Sequence, residues 1–198
     1  MQNITIYNKE ESITFNGKYS NQNRILATIS ITPFEFMNFK WNSVEHLYRY
    51  LKYYNNLEAK KFIIRTPNPL HIKEISNYLQ YELKTYNQIP EFDKNRHNII
   101  LLGNILKTLQ NPLVKEFLLS TEQNNIIELT EWIKNSHDTF FGCVSDMNKF
   151  IGRNVHGKCW MKIRSALLNN TLQNLLKNTI TILQQDNILP PTCCMSIN

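Results

Sequence analysis

Glycine is rare in this chain, with five in 198 residues, and three of the five fall between residues 136 and 157. Asparagine, isoleucine and lysine are frequent instead, which reads as an AT-rich coding bias rather than a structural signal. Cysteine is also sparse. Cys143, Cys159, Cys193 and Cys194 form no C-x-x-C pair, so the spacing does not match a zinc site. No apolar run is long enough for a membrane span, and no signal peptide is seen. Reduced thiols, a cytoplasmic location and no membrane partner are therefore expected. Basic residues are dispersed, and no run of them marks a nucleic-acid arm. Linkers, internal repeats and low-complexity tracts are missing too.

What is present suffices for a folded domain. The hydrophobic share is 42% and the charged share 19%, which excludes a disordered chain. The expectation is one domain over residues 1–189 with a tail at 190–198. A net charge of +6 and a pI near 9.1 fit an anionic ligand such as a phosphate, a nucleotide or nucleic acid, without selecting among them.

Periodicity places the elements. Residues 3–7 and 12–15 alternate as short strands, and 25–31 reads as a third. Residues 34–36 and 39–41 form a hairpin turning at Met37-Asn38, since asparagine tolerates positive φ. Residues 57–65 read as helix, stopped near Pro67 and Pro69. A helical stripe follows at 71–86, a strongly apolar helix at 96–109, a helix at 159–168 and an amphipathic one at 172–183. Residues 113–119 and 126–132 read as short helices or as helix plus strand. Residues 136–157 read as irregular. The class is α+β: a mostly helical single domain with a small antiparallel sheet near the N-terminus.

Two stretches carry candidate chemistry. In Trp41 to Tyr53, Asn42 or Ser43 can cap a helix. Val44, Leu47, Tyr48 and Leu51 form its apolar stripe, bordered by Glu45, Arg49 and Lys52. Lys52 points the same way as Glu45, roughly 10 Å further along the axis. Such an edge either faces a pocket or is a solvated polar border. The second stretch is His137 to Gly142 with Gly152 to Arg164, where polar and glycine residues crowd a loop between apolar helices. It reads either as a functional loop or as an ordinary connection with Asp138 as an N-cap.

Together these pieces resemble the NADAR superfamily, the YbiA-like N-glycosidases, over roughly residues 19–168. Tyr19-Ser20-Asn21 resembles the family's Phe-Ser-Asn segment. Pro33-Phe34 through Ser43-Val44-Glu45-His46 resembles its aromatic hairpin and Ser-x-Glu-His helix start, and Lys52 falls on that helix's lysine. Asn111-Pro112-Leu113 to Thr121, Ile127-Glu128, Asp138 to Gly142, Gly152-x-Asn154, Gly157 and Met161 to Arg164 follow in the family's order. There are departures. Phe141 stands where the family has Trp, His156 replaces an apolar residue, and Asn38 replaces the hairpin glycine. The residues after Asn21 and those from Trp132 to Ser136 do not follow the pattern.

The resemblance implies a YbiA-like fold and cleavage of an N-glycosidic bond at ribose C1. The implied substrate is an ADP-ribosylated or phosphoribosylated base, with nucleic acid among its carriers. No cofactor or metal is implied. Breaking this bond builds positive charge at C1. Glu45 and Asp138 are then the carboxylates that stabilise the charge or activate water. Lys52 acts as proton donor or as a Schiff-base amine, and either role needs it desolvated or near a cation such as Arg49. Arg164, Asn154 and the backbone near Gly152 would meet the phosphate. Tyr19, Phe141 and Trp132 would stack on the base beside Asn21. The basic balance favours removal of ADP-ribose from modified guanine over hydrolysis of a ribosylamino-pyrimidine phosphate of riboflavin synthesis. A non-catalytic ADP-ribose or NAD module would lack Glu45, Lys52 or Asp138, and all three are present.

Overall fold

The computed structural model describes residues 3–17, 21–53, 56–81, 91–130 and 140–191. Strands β1 (Thr5–Asn8) and β2 (Ser12–Phe15) open the chain, followed by a short 3-10 helix over Gln22–Leu26. The hairpin β3 (Phe34–Phe36) and β4 (Phe39–Trp41) leads into α1 (Val44–Lys52), α2 (Leu57–Arg65) and α3 (Pro69–Tyr81). Next come α4 (Phe92–Gln110), α5 (Pro112–Ser120), β5 (Asn125–Glu128), β6 (Cys143–Asp146) and β7 (Lys149–Gly152). Helices α6 (Val155–Leu168) and α7 (Leu172–Gln185) complete the described order.

The chain divides into two compact units, one of residues 1–27 and 112–172, the other of 28–111 and 173–198. In the first, β1, β7 and β6 form an antiparallel sheet in that order, and β2 pairs with β5 in parallel. A bridge between Leu129 and Cys143 joins the two ladders. Strand period two turns Tyr7, Phe150 and Cys143 inward, where they pack with Ile127. The opposite face shows Ile6 to solvent. Helix α6 lies directly on β5. A Cβ on Gly157 would come within 2.0 Å of the Ile126 carbonyl oxygen, so only glycine permits this approach. Trp160 is fully buried and donates its indole N–H to Leu26 O at 2.9 Å.

In the second unit the β3–β4 turn has φ of 55° at Met37 and 60° at Asn38. Two successive positive φ values are what a two-residue hairpin needs to match strand twist. Trp41 is pinned by its indole N–H to Phe36 O at 2.9 Å and packs against Tyr50 of α1. Helix α1 lies against α4 and also meets α2 and α3. Helix α4 is buried on every side from Ile99 to Thr108, so it carries apolar residues all round rather than one stripe. By contrast α2 buries only Ala59 and Ile63, while Leu57, Phe62 and Ile64 stay exposed.

Two sequence expectations need correcting and one open segment is resolved. Residues 25–31 are not a strand. Their carbonyls serve other partners: Leu26 O accepts from Trp160, and Thr28 O accepts the Glu45 amide at 3.0 Å. Residues 136–157 are not wholly irregular, because 143–152 fold into the β6–β7 hairpin, turning at Met147 with φ of 39°. Of the open segment 126–132, residues through Glu128 are strand. The sheet contains the N-terminal β1, but its partners come from the last third of the chain.

Lys107 sits in the buried length of α4, and burial pushes its amine down to about 7. An unfolded chain holds that proton up to its ordinary value, so between pH 7 and about 10 the unfolded state binds more protons than the native one. Stability therefore rises with pH across that window and gains nothing further from Lys107 below it. Thermal melts from pH 6 to 10 should show this rise, and Lys107→Met should reduce its slope. An equally steep rise in Lys107→Met would refute the assignment.

Candidate active site

Helix α1 begins at Ser43, but the Ser43 side chain does not cap it. Its hydroxyl instead donates to His46 Nδ1 at 2.7 Å, and His46 Nε2–H donates to Thr66 O at 2.9 Å. The sequence pointed to a Ser or Asn cap. The buried imidazole outcompetes the helix amide for Ser43, and Asn42 turns to Pro67 O at 3.3 Å. Burial lowers the His46 pKa, which keeps the ring neutral and fits a structural role.

Glu45 is 8% exposed, on the first turn of α1. A carboxylate this buried needs partners on both oxygens. Arg49, one turn on, donates Nε–H to Oε1 at 2.7 Å, and Thr28 donates its hydroxyl to Oε2 at 3.0 Å. The Arg49 Nη1–H reaches Ser76 Oγ on α3 at 3.0 Å, and Ser76 Oγ lies 2.7 Å from the Tyr53 hydroxyl. Lys52 is half-buried at the far end of the helix. Burial first, and then the Arg49 charge, push its amine down to about 8, partly offset by Asp93 and Glu45. Roughly a tenth of it is therefore neutral at pH 7. Glu45, Arg49 and Lys52 thus form one polar border on one helix of the second unit.

The first unit holds the other described candidates, and there Asn154 and Arg164 are engaged in its own architecture. Asn154 is fully buried in the left-handed region, φ 49° and ψ 42°. Its Nδ2 donates to Ile126 O at 2.8 Å and its Oδ1 accepts from Glu128 N at 3.2 Å. The amides of Asn154, Val155 and His156 donate to the carbonyls of Gly142, Phe140 and Phe141. The start of α6, the natural anion cradle of this stretch, is therefore already occupied by backbone. Gly152 allows close packing, since a Cβ there would meet Gly142 O at 2.3 Å. Arg164 donates through Nη1 to Thr121 Oγ1 at 2.6 Å and Asn124 O at 2.9 Å, tying down the turn after α5. Phe141 stands edge-on to Phe140 at 4.8 Å. Asn21 is exposed at the start of the 3-10 helix and makes no side-chain cap. Tyr19, Trp132 and Asp138 lie outside the described residues.

Some participants were not on the sequence list. Thr28, Ser76 and Tyr53 hold the Glu45–Arg49 pair, and they lie 17, 27 and 4 residues from the side chains they serve, counted from Glu45 for Thr28 and from Arg49 for the others. Only the Tyr53 spacing, one turn from Arg49, was visible. His156 was flagged as a departure. It is fully buried, with Nδ1 3.4 Å from Glu128 Oε2 and its ring edge-on to Phe15 at 4.9 Å. Among the described residues no three His, Cys, Asp or Glu side chains gather as a metal site would require. No described helix is long and apolar enough to cross a membrane.

The Asn154 arrangement makes a clear prediction. Asn154→Gly keeps the left-handed backbone but loses two buried hydrogen bonds, and should cost about 2–3 kcal/mol. Asn154→Ala adds backbone strain and should cost about 1 kcal/mol more. Urea melts of both variants measure this, and equal stability to the parent protein would remove Asn154 from the scaffold.

Comparison with known proteins agrees with this architecture. The structure is similar to the NMR structure of the E. coli protein YbiA, with a TM-score of 0.65 and 16% identity over 82% of this chain and 88% of that one. No curated protein matches the sequence. A family profile described as the NADAR domain matches residues 7–168. With four-fifths of its length matched, this chain belongs to the NADAR domain family.

Proposed function

We propose that this protein is an N-glycosidase that hydrolyses the bond between ribose C1 and an ADP-ribosylated base, with guanine in nucleic acid as the base. The observation that carries this reading is the border of α1: a buried, doubly hydrogen-bonded carboxylate at Glu45 and an amine at Lys52 held down to about 8. The supporting context is membership of the NADAR family.

In this reading Glu45 stabilises the positive charge that develops at C1 as the base departs. Its two fixed oxygens need no reorganisation when that charge appears. Arg49 keeps it oriented. Lys52, protonated in most molecules yet easily deprotonated, gives its proton to the leaving nitrogen, and water adds to C1. In the second route the neutral amine attacks C1 and displaces the base, which leaves with a proton; the ribose ring then opens at its C1–O bond to give an imine, which water hydrolyses to the free sugar and the amine. Asp138 is the second carboxylate, and Tyr19, Asn21, Trp132 and Phe141 contact the base, all on the family resemblance. Asn154, Gly152 and Arg164 contribute by shaping the 121–128 and 140–142 segments rather than by touching phosphate. The net charge of +6 favours the nucleic-acid substrate.

Mass spectrometry of the protein with an oligonucleotide bearing ADP-ribosylated guanine should detect free ADP-ribose. Glu45→Gln should lower the rate on the order of a hundredfold or more. Borohydride should trap an adduct that Lys52→Ala loses if the imine route operates, and no adduct would leave the proton-donor route. Cleavage of a ribosylamino-pyrimidine phosphate alone would make this a metabolite hydrolase. Binding of ADP-ribose without cleavage of either would make it a binding module.

A further inference from the structure

The Arg49 guanidinium has two tasks on α1. It pairs with Glu45 through Nε, and it contributes a positive charge next to Lys52. Both depend on where the guanidinium stands, and its position is fixed from outside the helix. Nη1–H donates to Ser76 Oγ at 3.0 Å. Ser76 Oγ and the Tyr53 hydroxyl are 2.7 Å apart, and the Tyr53 hydroxyl also lies 2.9 Å from Ser76 O. Only one assignment of protons satisfies every group. Arg49 donates to Ser76 Oγ, Ser76 donates to the Tyr53 oxygen, and Tyr53 donates to the Ser76 carbonyl. Burial raises the Tyr53 pKa, so the phenol keeps the proton this needs. Ser76 and Tyr53 are both fully buried, which leaves no water to replace a lost member.

We propose that Ser76 and Tyr53 are positioning residues, a buried relay that fixes the Arg49 guanidinium against Glu45 on the helix that carries Lys52. The relay closes on its own target: Tyr53 directly follows Lys52 in sequence, and the Lys52 amine lies 5.8 Å from the Tyr53 ring centre. The charged groups acting on Lys52 among the described residues are Arg49 and Glu45 from α1, and Asp93 and Arg96 from α4. Of these, only Arg49 is held by the relay. Nothing in the α1 sequence pattern singles out Ser76, which joins the site from α3.

The inference rests on α1 being the catalytic helix, yet its test needs no substrate. The full-length protein, labelled with 13C at lysine Cε, is titrated by NMR, and Lys52→Arg identifies the Lys52 resonance. Ser76→Ala lets the Arg49 charge move away, so the Lys52 midpoint should rise by about half a unit to one unit. Tyr53→Phe should move it the same way by less, and Ser76→Thr, which keeps the hydroxyl, should return it to the parent value. Ser76→Ala folded, with a midpoint within about a tenth of a unit of the parent, overturns the proposal. If Ser76→Ala does not fold, Tyr53→Phe decides the matter, since it removes a single oxygen. A failed glycosidase assay with a shifted midpoint would sink the enzymatic reading alone, and an unshifted midpoint with full activity would sink this one alone.

Discussion

A carboxylate taken out of water must be paired, and the arrangement of the second unit follows from that requirement at Glu45. The desolvation cost of an isolated buried carboxylate is far larger than the stability of a small domain. Three separate segments therefore converge on it. The Thr28 hydroxyl comes from the loop before the hairpin, the Arg49 guanidinium from the next turn of α1, and the Ser76 hydroxyl from α3 behind Arg49. The backbone takes part as well, because the Glu45 amide donates to Thr28 O. Removing any one of these would leave a charge or a donor stranded in a poorly hydrated place. The same low polarity that makes the pairing obligatory is what lowers the Lys52 amine, so stability and chemistry draw on one environment.

The first unit solves a different problem, the seating of a helix on a strand. Helix α6 touches β5 through Gly157, and Asn154 supplies the side-chain amide that completes the backbone pairing of Ile126 and Glu128. The carbonyls of residues 140–142 then saturate the first amides of the helix. This places residues 140–142 against the start of α6 through their backbone. Arg164, on the same helix, fixes the turn at residues 121–124. Residues that look like ligand donors in a motif are here the joints of the scaffold.

What was legible in the sequence depended on range. The Met37-Asn38 turn, α1, the continuous apolar run of α4 and the stripes of α2 and α7 rest on neighbours a few residues apart, and the local pattern shows them. The family assignment drew on motif order, which is also a property of the chain alone. Ser76 and Thr28 could not be read this way, because nothing local marks a serine or threonine as the partner of a distant arginine or glutamate. The strand expected at 25–31 failed for a related reason: its apolar residues are right for a strand, but Leu26 O and Thr28 O are claimed by Trp160 and by α1. Val144 and Ile151 had the alternation of β6 and β7, and the surrounding polar residues masked it. The scaffold bonds of Asn154 and Arg164 could not be read either, because their partners at Ile126, Glu128 and Thr121 lie far along the chain.

Helix α2 holds to its unit by little more than Ala59 and Ile63, with Leu57 66% and Phe62 52% exposed. Its free energy of detachment is therefore set by two small contacts rather than by the core, and it is far below the cost of global unfolding. Amide hydrogens of α2 should exchange with solvent through local opening, while those of α4 wait for the whole unit to open. The polypeptide thus has a weakly held segment immediately after the helix that carries Glu45 and Lys52. A protease that nicks native protein would find a foothold there.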